Sequence, residues 1–307
     1  MACNRDGGGM AVSGKSPRWL PMICLVTAMV LWASSFIALK VAFRAYAPMI
    51  VIWGRMVVGS LCFLFLLPLL RQVRLRRRDL RYLVLMAVCE PCIYFIFEAK
   101  AMELTTASQA GMITAILPLL VAIGATIFLG ERIARHTVAG FVLAMVGAGL
   151  LSVSGETTAD APNPLLGNFL EFLAMVSAMG YTISLKHLSS SYSPLFLTAI
   201  QSWVGAVFFS FFLLSPATVM PTEFVPLPAM AVFYLGSCVT IGAYFLYNFG
   251  VSKLPASQAS AYINLIPVFT VIMGFLFLGE TFTRLQVLAS LLVFLGIYVS
   301  QKRPHVL

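Results

Sequence analysis

The stretch TTASQAGMITAILPLLVAIGATIFLGERI, beginning at Thr105, returns as LPASQASAYINLIPVFTVIMGFLFLGETF, beginning at Leu254. Ala-Ser-Gln-Ala recurs at 107–110 and 256–259, Pro118 matches Pro267, Gly130-Glu131 matches Gly279-Glu280, and Gly147 matches Gly296. All of these matches share the step from 105 to 254, 149 residues, with no gap. Shared composition alone would repeat Leu and Ala. Repetition of Ser-Gln, Pro and Gly-Glu in one register points to a duplicated unit, so any fold must be built from two similar halves.

The solvent of those halves follows from their chemistry. Of 307 residues, 60% are hydrophobic and 10% charged, and the mean hydropathy is +0.95. A soluble domain is about a quarter charged. A helix that crosses a bilayer needs roughly 20 predominantly apolar residues. Windows of that size predict spans near 19–43, 49–70, 82–103, 105–129, 136–153, 165–187, 194–215, 228–252, 255–278 and 284–300. The ~10-residue alternating strands of a membrane barrel are absent, which leaves helices. The expected fold is therefore an all-α membrane protein of ten transmembrane helices in two repeats. Residues 19–153 form the first repeat and 165–300 the second. Residues 154–164 link them outside the membrane, and 1–18 and 301–307 are cytoplasmic tails. Five spans per repeat is an odd number, so the second half enters the membrane from the opposite side, an arrangement that places binding sites near the midplane between the halves. Pro118 and Pro267 fall near the middle of the fourth and ninth spans, where each removes a backbone hydrogen bond and bends its helix.

The charge distribution predicts the orientation. With both termini cytoplasmic, that side holds fifteen of the 20 Lys and Arg residues, including Arg71, Arg74, Arg76, Arg77, Arg78 and Arg81 in one loop. The outer side holds Lys40, Arg44, Lys100 and Arg284, and only Arg55 lies inside a span. This is the positive-inside pattern. The net charge of +9 is thus accounted for by topology and contact with anionic lipid rather than by nucleic acid. The first apolar stretch is longer than a signal-peptide core and is followed by further spans, so it reads as a retained signal-anchor helix. The six cysteines are scattered, mostly within spans, and form no disulfide framework.

At WASSFIALK (32–40), Pro48 followed by Trp53-Gly54-Arg55, the repeated LGE ends, ASQA with its downstream proline, and YFLYNFGVSKLPAS (244–257), the chain resembles the drug/metabolite transporter superfamily in its ten-helix EamA branch. The resemblance covers nearly the whole chain. It implies two EamA repeats, a central cavity lined by helices 1–4 and 6–9, and helices 5 and 10 at the periphery. It also implies export or exchange of small metabolites across the inner (cytoplasmic) membrane, with multidrug and nucleotide-sugar-type carriers in the same superfamily. The small multidrug-resistance relatives carry an essential glutamate in the first helix. Trp32 takes that place here, so their proton-coupling scheme does not carry over.

Ionisable groups inside the spans are the strongest site signal, because a charge at mid-bilayer costs about 2.5–3.5 kcal/mol on insertion scales and must face a cavity or a partner. Glu90, Tyr94, Phe97 and Glu98 share one broad face of the third span. At 1.5 Å per residue Glu90 lies ~12 Å from the cytoplasmic end, while Glu98, Arg55 and Glu171 lie ~8–9 Å from the outer ends of their spans. Depth therefore matches Arg55 to Glu98 or Glu171 and leaves Glu90 without a base, as a protonatable coupling group or an ammonium contact. The polar and aromatic residues Trp32, Tyr181, Trp203, Tyr244, Asn248 and Asn264 complete the expected substrate-binding set, with Tyr244 and Asn248 on one face of the eighth span. Gln109, Gln258, Glu131 and Glu280 lie at helix ends and read as structural.

Other chemistries lack their residues. Cys89-x-x-Cys92 has no βαβ setting, and His136, His187 and His305 lie at loops or a terminus, so neither a redox motif nor a zinc site is expected. No HExxH, GxSxG or P-loop pattern is present. The expectation is a monomeric secondary transporter of amino-acid-like or aromatic solutes, with protons as a possible coupling ion and with no cofactor, metal or enzymatic activity. An intramembrane enzyme and a channel are the alternative classes, and a channel would favour symmetric filters or rings of charge.

Overall fold

The computed structural model describes residues 19–70, 73–130, 135–216 and 218–301. Glu131, both tails and the basic residues Arg71 and Arg132 lie outside the described residues. Within them the chain is all-helical, apart from one isolated bridge between Thr158 and Ala161 in the linker.

Among the described residues, seven helices are long and apolar enough to cross a membrane: α1 (Trp19–Phe43), α3 (Arg77–Leu104), α4 (Ala107–Phe128), α6 (Pro164–Leu188), α7 (Pro194–Leu214), α8 (Pro226–Lys253) and α9 (Ala256–Leu278). Three shorter apolar helices stand where the second, fifth and tenth spans are expected: α2 (Pro48–Leu64), α5 (Arg135–Val153) and α10 (Arg284–Gln301). Proline at the first turn starts α2, α6, α7 and α8, where its missing N–H costs no intrahelical bond.

The inversion of the repeats is visible along a single helix. Near the start of α6, Asn168 Nδ2 donates to Gln109 Oε1 at 2.8 Å, at the beginning of α4. Near its end, Lys186 Nζ donates to the carbonyls of Val251 and Leu254 at 2.9 and 2.7 Å, just before α9. The 18 residues between Asn168 and Lys186 span ~27 Å of helix. The equivalent helices α4 and α9 therefore begin at opposite ends of the molecule.

Matching breaks interrupt matching helices. Residues Thr114–Ile116 of α4 and Tyr262–Asn264 of α9 tighten to 3₁₀ geometry just ahead of Pro118 and Pro267. In α3 a kink within Val88–Ile93 breaks the helix, and in α8 the stretch Leu235–Ala243 widens to π geometry. Glu90 itself is extended (φ −147°, ψ 115°), as expected for a residue that precedes proline. The carbonyls loosened there are not left bare. Cys89 O accepts from Ser177 Oγ at 2.7 Å, and Glu90 O accepts from Gln201 Nε2 at 3.2 Å. Irregular backbone at membrane depth is tolerated when neighbouring helices satisfy it in this way.

The turns after α4 and α9 each use a left-handed glycine, Gly130 (φ 71°) and Gly279 (φ 68°). The Glu280 carboxylate accepts both N–H groups of Ala107 and Ser108 at 2.8 Å, capping the start of α4 where unpaired donors and the helix dipole favour an anion. α5 and α10 pack against each other, backbone to backbone. A Cβ on Gly147 would sit 2.7 Å from the Val293 nitrogen, and one on Gly296 would sit 2.5 Å from the Ala144 nitrogen. Their other faces carry exposed Val138, Val142, Val146, Leu288, Leu291 and Leu295.

Candidate functional site

A narrow pocket of about 40 Å³ lies between the two repeats. α1, α2, α3 and α4 of the first repeat and α6, α8 and α9 of the second supply its walls, and no described residue of α5 or α10 lines it. The α7 side chains Thr198 and Gln201 stand behind this lining, with Tyr244 and Phe95 between.

One wall is ionic. Arg55 on α2 is 1% exposed. Its Nε donates to Thr240 Oγ1 at 3.2 Å, its guanidinium carbon lies 4.3 Å from the centre of the Phe95 ring, and its Nη1 stands 3.8 Å from Glu98 Oε2. That last distance is an ion pair without a hydrogen bond. Nη1 and Oε2 are both buried and have no hydrogen-bond partner among the described residues. Glu98 Oε1 instead accepts from Tyr94 Oη at 2.9 Å. The wall thus offers a donor and an acceptor that are close but not committed to each other, which suits a solute carrying both a carboxylate and an ammonium.

The opposite wall is aromatic. Trp32 lies 5.3 Å from Tyr244 in an edge arrangement and 4.8 Å from Tyr247, and Tyr181 lies 6.4 and 6.3 Å from the same two rings. Such offset and edge contacts are the favoured ones for aromatic pairs, and a set of ring faces also attracts cations. Tyr244 donates to Glu90 Oε1, which brings the acid of the broken α3 onto the matching helix of the other repeat. Tyr181 donates to Asn248 Oδ1 at 2.5 Å, and the Asn248 amide reaches Thr198 Oγ1 at 2.9 Å.

Seven of the expected residues meet in the pocket: Trp32, Arg55, Glu90, Tyr94, Glu98, Tyr181 and Tyr244. Asn248 is fully buried one layer behind and fixes Tyr181. Glu171 is fully buried on α6, which packs along α3, and lies outside the lining. Trp203 does not reach the pocket; its Nε1 donates to Ser60 O at 3.4 Å between α7 and α2. Asn264 lies in the 3₁₀ turn of α9 with both amide atoms buried and without a hydrogen-bond partner among the described residues, also outside the lining. Phe97 departs from expectation: it faces an outer groove with Leu85, Cys89 and Ile93, and Phe95 takes the pocket position. The kink at Glu90 accounts for this, since it breaks the regular helical register between Glu90 and the residues beyond it. Phe95, Thr240 and Gln201 are the contributors that sequence reasoning did not select. A lone glutamine inside an apolar helix was a signal for Gln201, whereas the Arg55–Thr240 contact depends on how α2 crosses α8.

Comparison with known proteins matches the EamA-like transporter family model twice, over residues 19–153 and 165–301. An uncharacterized transporter of Bacillus subtilis, YetK, is 27% identical, with 98% of this chain and 92% of that protein covered. A protein of Streptantibioticus cattleyicolor named "Probable terminal-alkyne amino-acid exporter" is 26% identical over 91% of this chain and 92% of that one. A solved crystal structure 18% identical in sequence superposes with a TM-score of 0.65, covering 93% of this chain and 97% of its own, a likeness of fold.

Proposed function

This chain belongs to the EamA-like transporter family, and from that premise we propose that it is a secondary active transporter that exports or exchanges a small amino-acid-like or aromatic solute by alternating access. The observation that carries this reading is the pocket between the repeats, with Arg55 and Glu98 on one wall and Trp32, Tyr181, Tyr244 and Tyr247 on the other. A zwitterion with an apolar side chain matches both walls. The sequence similarity to a protein named as an amino-acid exporter supports the same solute class.

On this reading all ten helices cross the inner membrane, with both termini in the cytoplasm. Rocking of one repeat against the other opens the pocket to each side in turn, and the breaks in α3, α4, α8 and α9 supply the bending points. The test is counterflow: purified protein in liposomes, preloaded with an unlabelled amino acid from a panel of aromatic and aliphatic members, is offered a trace of the same labelled compound outside. Accumulation of label driven by the inner pool is the expected result for at least one member. Equilibration without trans-stimulation across the panel would mark a channel, and no movement would remove the proposed solute class.

A further inference from the structure

Among the described residues, Glu171 is the one buried acid that accepts no hydrogen bond. It sits on α6 at 0% exposure, and neither of its oxygens has a hydrogen-bond partner among the described residues. α6 packs along α3: Thr105 Oγ1, just past the end of α3, donates to Asn168 Oδ1 at 2.8 Å, and Ser177 Oγ donates to Cys89 O at 2.7 Å, so Glu171 and Glu98 both lie between these two contacts. The charged and titratable groups facing this pair can be followed from helix to helix. α3 brings Tyr94, whose hydroxyl is on Glu98, and Glu90, which is held by Tyr244 of α8. α8 also brings Tyr247, and α2 brings Arg55 on the far side of Glu98. α4 carries no titratable side chain, and α9 carries only Tyr262. Arg135 and His136 of α5, Arg81 and Tyr82 of α3, and Lys186 and His187 of α6 itself belong to the cytoplasmic ends, with Lys186 ~22 Å along the helix from Glu171.

Lys100 of α3 is exposed, so among the described residues Arg55 is the only cation within ion-pair distance of either carboxyl group, and it stands next to just one of them. A buried carboxylate without a partner is too costly to persist and is neutralised instead. We propose that Glu98 and Glu171 form a cation site that holds one exchangeable proton, which an ammonium-bearing solute without a carboxylate displaces. This deepens the transporter reading and rests on it. Charge balance sets the rule. With the pocket empty, Arg55 offsets Glu98 and the proton neutralises Glu171. A monocationic amine brings one positive charge, so the O–H bond of the pair breaks, its proton passes to water at the open face, and the ammonium takes its place between the carboxylates. A zwitterionic amino acid brings a carboxylate for Arg55 together with its ammonium, adds no net charge, and leaves the proton where it is.

The experiment has two arms. In the first, infrared difference spectra of the full chain in nanodiscs compare wild type with Glu171→Gln, scanned across pH and with phenethylamine or phenylalanine as probes. The expected result is a protonated-carboxyl band that is absent from Glu171→Gln, retained in Glu171→Asp and Glu90→Gln, and diminished by high pH and by phenethylamine but not by phenylalanine. A featureless difference spectrum, or a band unmoved by both pH and phenethylamine, would overturn the proposal. The second arm reads proton release with a pH-sensitive dye trapped in liposomes, where phenethylamine is expected to exchange about one proton per molecule and Glu171→Gln none; equal release from both proteins would overturn it. Failure of counterflow for every amino acid would remove the solute assignment while leaving the spectroscopic result to decide the proton site.

Discussion

Arg55 Nη1 stands 3.8 Å from Glu98 Oε2 with neither atom hydrogen-bonded among the described residues, so the two helices that carry them hold opposite charges near each other without closing the bond. Removing one partner of a buried pair leaves the other uncompensated, at a cost of about 3 kcal/mol or more. Arg55→Met is expected to lower the stability of the purified protein by that order and to abolish counterflow. The double replacement Arg55→Met with Glu98→Gln is expected to regain much of the stability and none of the transport. Thermal unfolding in detergent and liposome counterflow, run on all three proteins, separate the two roles.

Asn248 works through Tyr181. Its carbonyl oxygen takes the tyrosine hydroxyl at 2.5 Å, and its amide is anchored on Thr198. In Asn248→Leu the buried Tyr181 hydroxyl loses its acceptor, a loss worth roughly 1–3 kcal/mol. The ring that closes one side of the pocket is then free to turn. KM for the transported solute is expected to rise about tenfold, equivalent to ~1.4 kcal/mol of binding, with a smaller change in maximal rate. An unchanged KM would place Tyr181 outside the solute's path.

Gly147 and Gly296 occupy the same position in their repeats, and each lets a neighbouring backbone approach. Side chains there have no room, because the nearest atoms they would meet belong to the neighbouring main chain and cannot swing aside. Gly147→Leu and Gly296→Leu are each expected to destabilise by roughly 1–3 kcal/mol, the usual range for overpacking. The pocket residues are untouched, so protein that does fold should transport with a normal KM. Thermal shift and counterflow on the two variants check both statements.

Much of this architecture was readable from single residues, for reasons that differ. The duplication shows in letters such as Ser-Gln and Gly-Glu, which composition does not repeat by accident. The Arg55–Glu98 pairing was narrowed to two acids by depth alone, because helical rise is constant and a span has a fixed length. The bends in α4 and α9 were announced by Pro118 and Pro267. The wide turn Leu235–Ala243 in α8 contains no proline, and nothing in its local sequence marks it. The kink at Glu90 in α3 undid the expected position of Phe97, since a face counted at 3.6 residues per turn does not survive such a break. Trp203 and Asn264 missed the pocket for a related reason: the polarity of a residue says that it wants a partner, and only the crossing of helices says which one.

Sidedness offers a direct check of the inverted repeats. Thr158 in the linker and Lys253 at the end of α8 are both exposed. Single cysteines at these two positions, in a protein otherwise free of its six native cysteines, should respond oppositely to a membrane-impermeant maleimide on intact cells. Thr158→Cys is expected to label and Lys253→Cys to stay protected until the cells are opened.

The central claim is that the pocket between the halves is reached alternately from each side of the membrane. Ser35 on α1 lines that pocket, is buried, and is small enough to be replaced by cysteine without crowding Trp32 or Phe36. The rate of maleimide labelling of Ser35→Cys, measured separately from the inside and the outside of sealed vesicles with and without transported solute, reads the claim directly. The account predicts labelling from both sides, with solute changing the two rates in opposite directions. Labelling from neither side, or from one side only whatever the solute, would contradict it.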